Sequence, residues 1–371
     1  MTASLRHDAA SLLVVGLGAT ELTNLERAWL KLVRPAGIIL FRRNIADARQ
    51  TRELLTGATA FCSANPLRCV DLEGGLVDRL RDALAPMPSA QAVAIAAQST
   101  GNAQLPRKHG ELVAQAIQAF GFNTPLAPVL DLGLPASASV MRTRVSATDS
   151  PGVIDYASSF LSGLAEHSVR GCGKHFPGLG AGTLDSHLDT PSIDRTWTEL
   201  WRDDLAPYRA LRDKLPMIMV SHAAYPATQG KARPASVSQF WITTVLRKRI
   251  GYRGLIFSDD LEMGGILKFM AIEEATVASV RAGIDLLEIC HSPELILRAY
   301  EALIAEGECS QAFRQLLSAR ARETARKRST LFASAILPAL TTRQFDALRT
   351  RILRFSETIA KGQPSTETVN P

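Results

Sequence analysis

Apolar residues in this chain come in short, nearly unbroken runs, separated by longer stretches where they recur every three or four positions. Eight runs stand out: "LLVVGL" (12–17), "AGIILF" (36–41), "LRCVDL" (67–72), "TPLAPVLD" (124–131), "VRGCGKH" (169–175), "MIMVSH" (217–222), "GLIFSD" (254–259) and "DLLEIC" (285–290). Runs of this length with no polar alternation read as strands buried on both faces. Between them the spacing turns helical. Thr23-x-x-Glu26 forms a capping box ahead of Ala28, Trp29, Leu32 and Val33. "GELVAQAIQAFGF" ends at Gly121, and "GVIDYASSFLSGLAEHS" gathers Val153, Tyr156, Phe160 and Leu164 on one helical face. Strands alternating with helices imply an α/β fold with a parallel sheet, and eight repeats favour closure into a (β/α)8 TIM-type barrel. Pro125 and Pro128 in the fourth run suit a distorted barrel strand rather than a regular one.

No ninth run follows residue 335, so the barrel is expected to occupy 1–335 and a C-terminal extension 336–371. Within that extension "TTRQFDALRTRILRF" reads as one docked helix, and "GQPSTETVNP" is polar enough to stay unfolded. Apolar residues at 46% and charged ones at 21% are ordinary for a globular enzyme. A net charge of +6 could favour an acidic partner, but the basic residues are dispersed. The densest group, "RQLLSARARETARKR" (314–328), has helical spacing and reads as a solvated helix face, so no nucleic-acid partner is expected. The five cysteines include no CxxC pair. Cys69, Cys172 and Cys290 sit inside apolar runs, as buried free thiols of a reducing compartment would. "SLLVVGLG" is too short to span a membrane and lacks a signal peptide's flanks, which points to the cytoplasm.

In a barrel of this kind chemistry gathers where strands end and βα loops begin, and the polar residues fall at those ends. The third run closes in "VDLEGGLVDRL", with Asp71, Glu73 and Arg79; the loop after the fourth supplies Arg144. The fifth delivers Lys174 and His175, the sixth Ser221 and His222, the seventh Ser258, Asp259 and Asp260. Any one of these could be a cap or a structural hydrogen bond; their joint placement on one barrel face is the signal. A carboxylate at the mouth can attack an electrophilic carbon, and either Asp259 or its neighbour Asp260 could do so, since successive strand residues point to opposite sides. Asp185 and His187, two apart on the glycine-rich stretch "KHFPGLGAGTLDSH", fit a dyad in which the carboxylate orients the imidazole. Dinucleotide fingerprints fail, because Glu21 and Thr183 stand where the third glycine belongs. A metal site of His175, His187, His222 and Asp259 is conceivable but has no HxH or HExxH spacing behind it.

Taken together, "GIILFRRN", "VDLEGGLVDRL", "APVLDL", "KHFPG…DSH", "MVSHAAYP", "FSDDLEM" and "AGIDLL" resemble the β-N-acetylhexosaminidases of glycoside hydrolase family 3, in particular its bacterial cell-wall-recycling branch. The resemblance runs over about residues 10 to 330, and KHFPG followed by DSH is its specific part. It implies removal of a terminal β-linked N-acetylglucosamine, with retention, from anhydro-muropeptides or related oligosaccharides, and no metal or organic cofactor. By position it implies Asp259 as nucleophile, His187 as acid–base and Asp185 as its orienting partner, with Asp71, Arg79, Arg144, Lys174 and His175 holding the sugar. Leu179 and Leu76 stand where the family usually carries a histidine and an arginine, which bears on the aglycone rather than on the reaction. Alternatives are a related β-glycosidase or phosphorylase, a silent sugar-binding barrel, and a metal-dependent hydrolase. The oligomeric state is left open, with a monomer as the default.

Overall fold

The computed structural model describes residues 2–182, 190–332 and 337–363, and every one of the eight apolar runs carries a strand. These are β1 (Leu13–Gly16), β2 (Gly37–Leu40), β3 (Leu67–Val70), β4 (Thr124–Pro125), β5 (Cys172–Phe176), β6 (Met217–Val220), β7 (Leu255–Asp260) and β8 (Leu286–Ile289). They pair in parallel in the order β4-β3-β2-β1-β8-β7-β6-β5, so β1 lies beside β8 and only β4 and β5 remain to meet. That seam is closed by a parallel bridge between Val129 and Lys174, with the Cys172 amide donating to the Ala127 carbonyl at 2.8 Å. β4 is two residues long because Pro125 and Pro128 lack the N–H a ladder needs. The result is a (β/α)8 barrel.

Strand alternation divides the core in two. Val14, Ile39, Cys69, Leu126, Cys172, Met217, Phe257 and Leu286 fill the barrel interior, so the barrel is plugged below its mouth. A larger cluster lies between sheet and helices and includes Val153, Tyr156, Phe160 and Leu164 of the helix Ser150–Glu166. Cys62, Cys69, Cys172 and Cys290 are buried free thiols.

The helix Asn24–Val33 starts on the expected capping box, the Glu26 amide donating to Thr23 Oγ1 at 3.1 Å. Its buried face, however, is Glu26, Trp29, Leu30 and Val33, and Leu32 is 57% exposed. The i, i+3, i+4, i+7 stripe from Glu26 excludes Leu32 and Ala28. The basic stretch lies in the helix Gln311–Leu331 and is not simply a solvated face. Arg328 is buried and donates to the Ala36 and Ala64 carbonyls at 3.0 and 2.8 Å, while Arg320 and Lys327 pair with Asp285 at the start of β8. These cations fasten the helix to the barrel's lower rim. The C-terminal helix Thr342–Lys361 buries Leu348, Ile352, Phe355 and Ile359 and packs against the helices Ala90–Thr100 and Leu105–Ala119. Residues 364–371, expected to be unfolded, lie outside the described residues. Among the described residues no helix is long and apolar enough to cross a membrane.

Candidate active site

Asp71, Arg79, Arg144, Lys174, His175 and Asp259 line a single cavity of about 130 Å³ where the strands end. Asp185 and His187 lie outside the described residues. Six of the eight sequence-predicted positions are therefore brought to one mouth by β3, β5, β7 and the loop after β4.

The β3–β5 side is a lattice of matched charges. Lys174 Nζ lies 2.8 Å from Asp71 Oδ1 and 2.7 Å from Glu73 Oε1. Arg144 grips Glu73 with both Nε and Nη2 at 2.8 Å, the bidentate fork that suits a carboxylate. Arg79 Nη2 stands 3.4 Å from Asp71 Oδ2. Burial alone would raise both carboxyls. Lys174 and Arg79 nevertheless hold Asp71 well below the usual carboxylate range, and Arg144 with Lys174 brings Glu73 to about 2. Glu73 was visible in the sequence as a strand-end acid without a role; here it is the hub joining Lys174 to Arg144. The turn that aims it needs glycine. Gly74 has φ +89°, and a Cβ there would fall 2.0 Å from the Pro88 carbonyl oxygen.

His175 is held by a residue that sequence reasoning quoted but did not assign. Asp131, fully buried, accepts from His175 Nδ1 at 2.7 Å, from the His175 amide at 3.2 Å and from the Leu179 amide at 2.7 Å. With Nδ1 donating to Asp131, Nε2 is left to accept from Arg144 Nη2 at 3.3 Å. The available signal was position: Asp131 closes the fourth apolar run as its one acid.

The β7–β8 side is different. Phe257 pairs with Leu286 but Asp260 pairs with Glu288, so β7 holds one extra residue against β8. Such a bulge re-aims side chains. Asp259 and Asp260, expected on opposite sides, consequently both line the cavity. β5 slips in the same way against β6 between Gly173 and Phe176, and Lys174 and His175 also share the mouth. Asp259 Oδ1 accepts the Asp260 amide at 3.0 Å. Asp260 is raised to about 8, first by burial and then by Glu262 nearby; burial also raises Glu262.

His222 is held within the fold. Its Nε2 donates to the Asp260 carbonyl at 2.9 Å, and its Nδ1 accepts from Ser236 Oγ at 2.7 Å. Both ring nitrogens are thereby engaged, and the ring pins β6 to β7. Among the described residues one set of potential ligands converges, Asp260, Glu262 and His291. Glu262 there accepts the amides of Cys290, His291 and Ser292, which fastens the loop after β8.

The chain matches the glycosyl hydrolase family 3 N-terminal domain over residues 4–322. It belongs to glycosyl hydrolase family 3. Within this family it is 34% identical over 307 residues to a β-hexosaminidase of Idiomarina loihiensis, covering 82% of this chain and 92% of the relative. It is 35% identical over 295 residues to a β-hexosaminidase of Haemophilus influenzae (strain Rd), covering 79% and 83%. The NagZ of Neisseria gonorrhoeae, solved in complex with N-trifluoroacetyl-D-glucosamine, superposes with a TM-score of 0.77 at 28% identity over 93% of this chain and 98% of that one. A family 3 β-N-acetylglucosaminidase of Paenibacillus sp. str. FPU-7 superposes with a TM-score of 0.83 at 28% identity, over 95% and 68%. As a glycosyl hydrolase of family 3, the protein is an enzyme.

Proposed function

We propose that this enzyme is a retaining exo-β-N-acetylglucosaminidase. It removes a terminal β-linked N-acetylglucosamine from an oligosaccharide or anhydro-muropeptide, in the cytoplasm, during peptidoglycan recycling. The observation that carries the reading is the convergence of Asp259 with the lattice of Asp71, Glu73, Lys174 and Arg144 in one strand-end cavity. A pyranose presents several hydroxyls, and fixed carboxylates, guanidinium and ammonium groups satisfy them with little reorganisation. Asp71, Arg79, Arg144, Lys174 and His175 take that part.

Asp259 attacks the anomeric carbon while the bond to the leaving oxygen breaks, and protonated His187 gives its proton to that oxygen. Neutral His187 then takes a proton from water. The resulting hydroxide attacks the same carbon, the ester bond to Asp259 breaks and the carboxylate is restored. Two inversions give retention. Asp185 orients the imidazole, and neither a metal nor an organic cofactor takes part.

Hydrolysis of p-nitrophenyl β-N-acetylglucosaminide beside the matching β-glucoside tests the substrate class; a preference for the glucoside sinks it. His187→Ala should lose roughly 10²–10⁴-fold on substrates with poor leaving groups. It should suffer less in glycosylation with p-nitrophenolate, and azide should rescue deglycosylation with a β-glycosyl azide as product. Equal losses on both leaving groups and no azide effect would remove His187 from the acid–base role.

A further inference from the structure

Glu288 is a carboxyl of the mouth that neither the matched charges nor the proposed mechanism uses. It lies on β8 in register with Asp260, is 3% exposed, and lines the cavity that holds Asp259. Its amide donates to Ser258 Oγ at 3.0 Å. Cys290 Sγ lies 3.2 Å from Oε1 and supplies that oxygen with a donor. Oε2 is buried and has no hydrogen-bond partner among the described residues. The lysine and arginines lining the mouth are committed elsewhere, Lys174 to Asp71 and Glu73, Arg144 to Glu73 and Arg79 to Asp71, while His291 lies 3.6 Å from Asp260 Oδ2.

A buried carboxyl without a cation stays protonated, and burial together with the charges of Asp260, Asp71 and Asp259 pushes Glu288 well above the usual range. Because Oε1 accepts from the Cys290 thiol, the proton belongs on Oε2. That leaves a buried O–H donor with no protein partner among the described residues, on a side chain that lines the cavity. Buried donors are almost always matched, and the open space next to Glu288 is the cavity that it lines.

We infer that Glu288 binds substrate, its Oε2–H donating a hydrogen bond to a hydroxyl of the sugar seated over Asp259. This rests on the reading of Asp259 as the nucleophile. It adds to the β7–β8 side a neutral donor that holds the ring without placing a positive charge beside the attacking carboxylate. Glu288 would be a specificity group as well: a sugar lacking that hydroxyl leaves the donor unmatched.

The test is kcat and KM on p-nitrophenyl β-N-acetylglucosaminide for Glu288→Gln and Glu288→Leu, with melting temperatures. Gln keeps a neutral donor and should stay within about threefold of the parent, whereas Leu should lose about tenfold or more in kcat/KM. Leu should also melt higher, because it replaces a buried carboxyl with a side chain that continues the interior cluster of Cys172 and Leu286. A substrate series lacking one ring hydroxyl at a time gives the second readout. One deletion should cost the parent about tenfold and cost Glu288→Leu nothing further. Full activity in Glu288→Leu, an equal loss in Glu288→Gln, or no coupled hydroxyl would each overturn the inference. Asp259→Ala run alongside separates the two readings. If it stays active the nucleophile assignment fails; if it is dead while Glu288→Leu is fully active, only this inference fails.

Discussion

On the β3–β5 side of the mouth Asp71 and Glu73 sit within hydrogen-bond reach of Lys174 and Arg144, whereas on the β7–β8 side Asp260, Glu262 and Glu288 crowd one another and Asp259. Burial is comparable, yet the titration shifts run in opposite directions. Asp71 and Glu73 are lowered against the cost of burial, because a cation from a neighbouring element overcomes it; Asp260 and Glu288 are raised by burial, and their neighbours add to the rise. Burial therefore does not set the protonation state by itself. What decides is whether an adjacent strand or loop brings a lysine or arginine within hydrogen-bond reach. On the proposed reading the division suits the chemistry: fixed ions would meet the hydroxyls on one side, and on the other no lysine or arginine pairs with Asp259 among the described residues.

The largest effect that would break this comparison is on activity. Asp259→Ala should lower turnover by roughly 10⁴-fold or more with little change in melting temperature, since a strand-end carboxylate adds little to the core. A 2-fluoro glycosyl inactivator should label the peptide at Asp259, and labelling at Asp260 would transfer the role to its neighbour. On the matched side the principal effect should be on stability. Lys174→Met strands two buried carboxylates and should destabilise by about 3–5 kcal/mol in urea unfolding; a loss below 1 kcal/mol, the size of a surface pair, would show that Arg144 and Arg79 suffice.

The pH dependence sharpens the contrast further. Glu73 and Asp71 are lowered in the fold, so their contribution is fully present above the unfolded carboxyl range near 4 and is lost as pH falls toward 2. Asp260 is raised to about 8, so the unfolded chain releases its proton first, and this group's contribution falls as pH rises from about 4 to 8. Asp260→Asn should therefore raise the melting temperature more at pH 8 than at pH 5, by roughly 2 °C or more. An equal shift at both pH values would mean that Asp260 is ionised in the fold. The smallest effect belongs to the surface. Arg298 and Glu273 pair at 2.7 Å with both side chains about two-fifths exposed, and Arg298→Ala should cost less than about 1 kcal/mol in the same unfolding assay.

Much of this was legible in the chain. Buried parallel strands are apolar on both faces, which is why eight unbroken runs were enough to find eight strands and a barrel. Strand ends carry chemistry, which is why Asp71, Lys174, His175 and Asp259 could be picked out. The failures are equally physical. Apolar type alone does not separate Leu32 from the buried Trp29 and Val33, because the angle around the helix decides, and helical spacing does not reveal that Arg328 is buried, because its carbonyl partners, Ala36 and Ala64, are remote in sequence. Asp131 is recognisable as a positioning group only once β5 brings His175 beside it.

The sequence by itself determined the strand count, the parallel sheet and the polar residues placed at the strand ends, because periodicity and run length are local properties. Tertiary structure alone decided that Asp259 and Asp260 share one cavity, that Lys174 joins Asp71 to Glu73, and that Glu288 Oε2 has no hydrogen-bond partner among the described residues. The first depends on a one-residue slip between β7 and β8, and the others on residues brought close from strands and loops far apart in the chain. Electrostatic character belongs to such distances, and no local pattern encodes them.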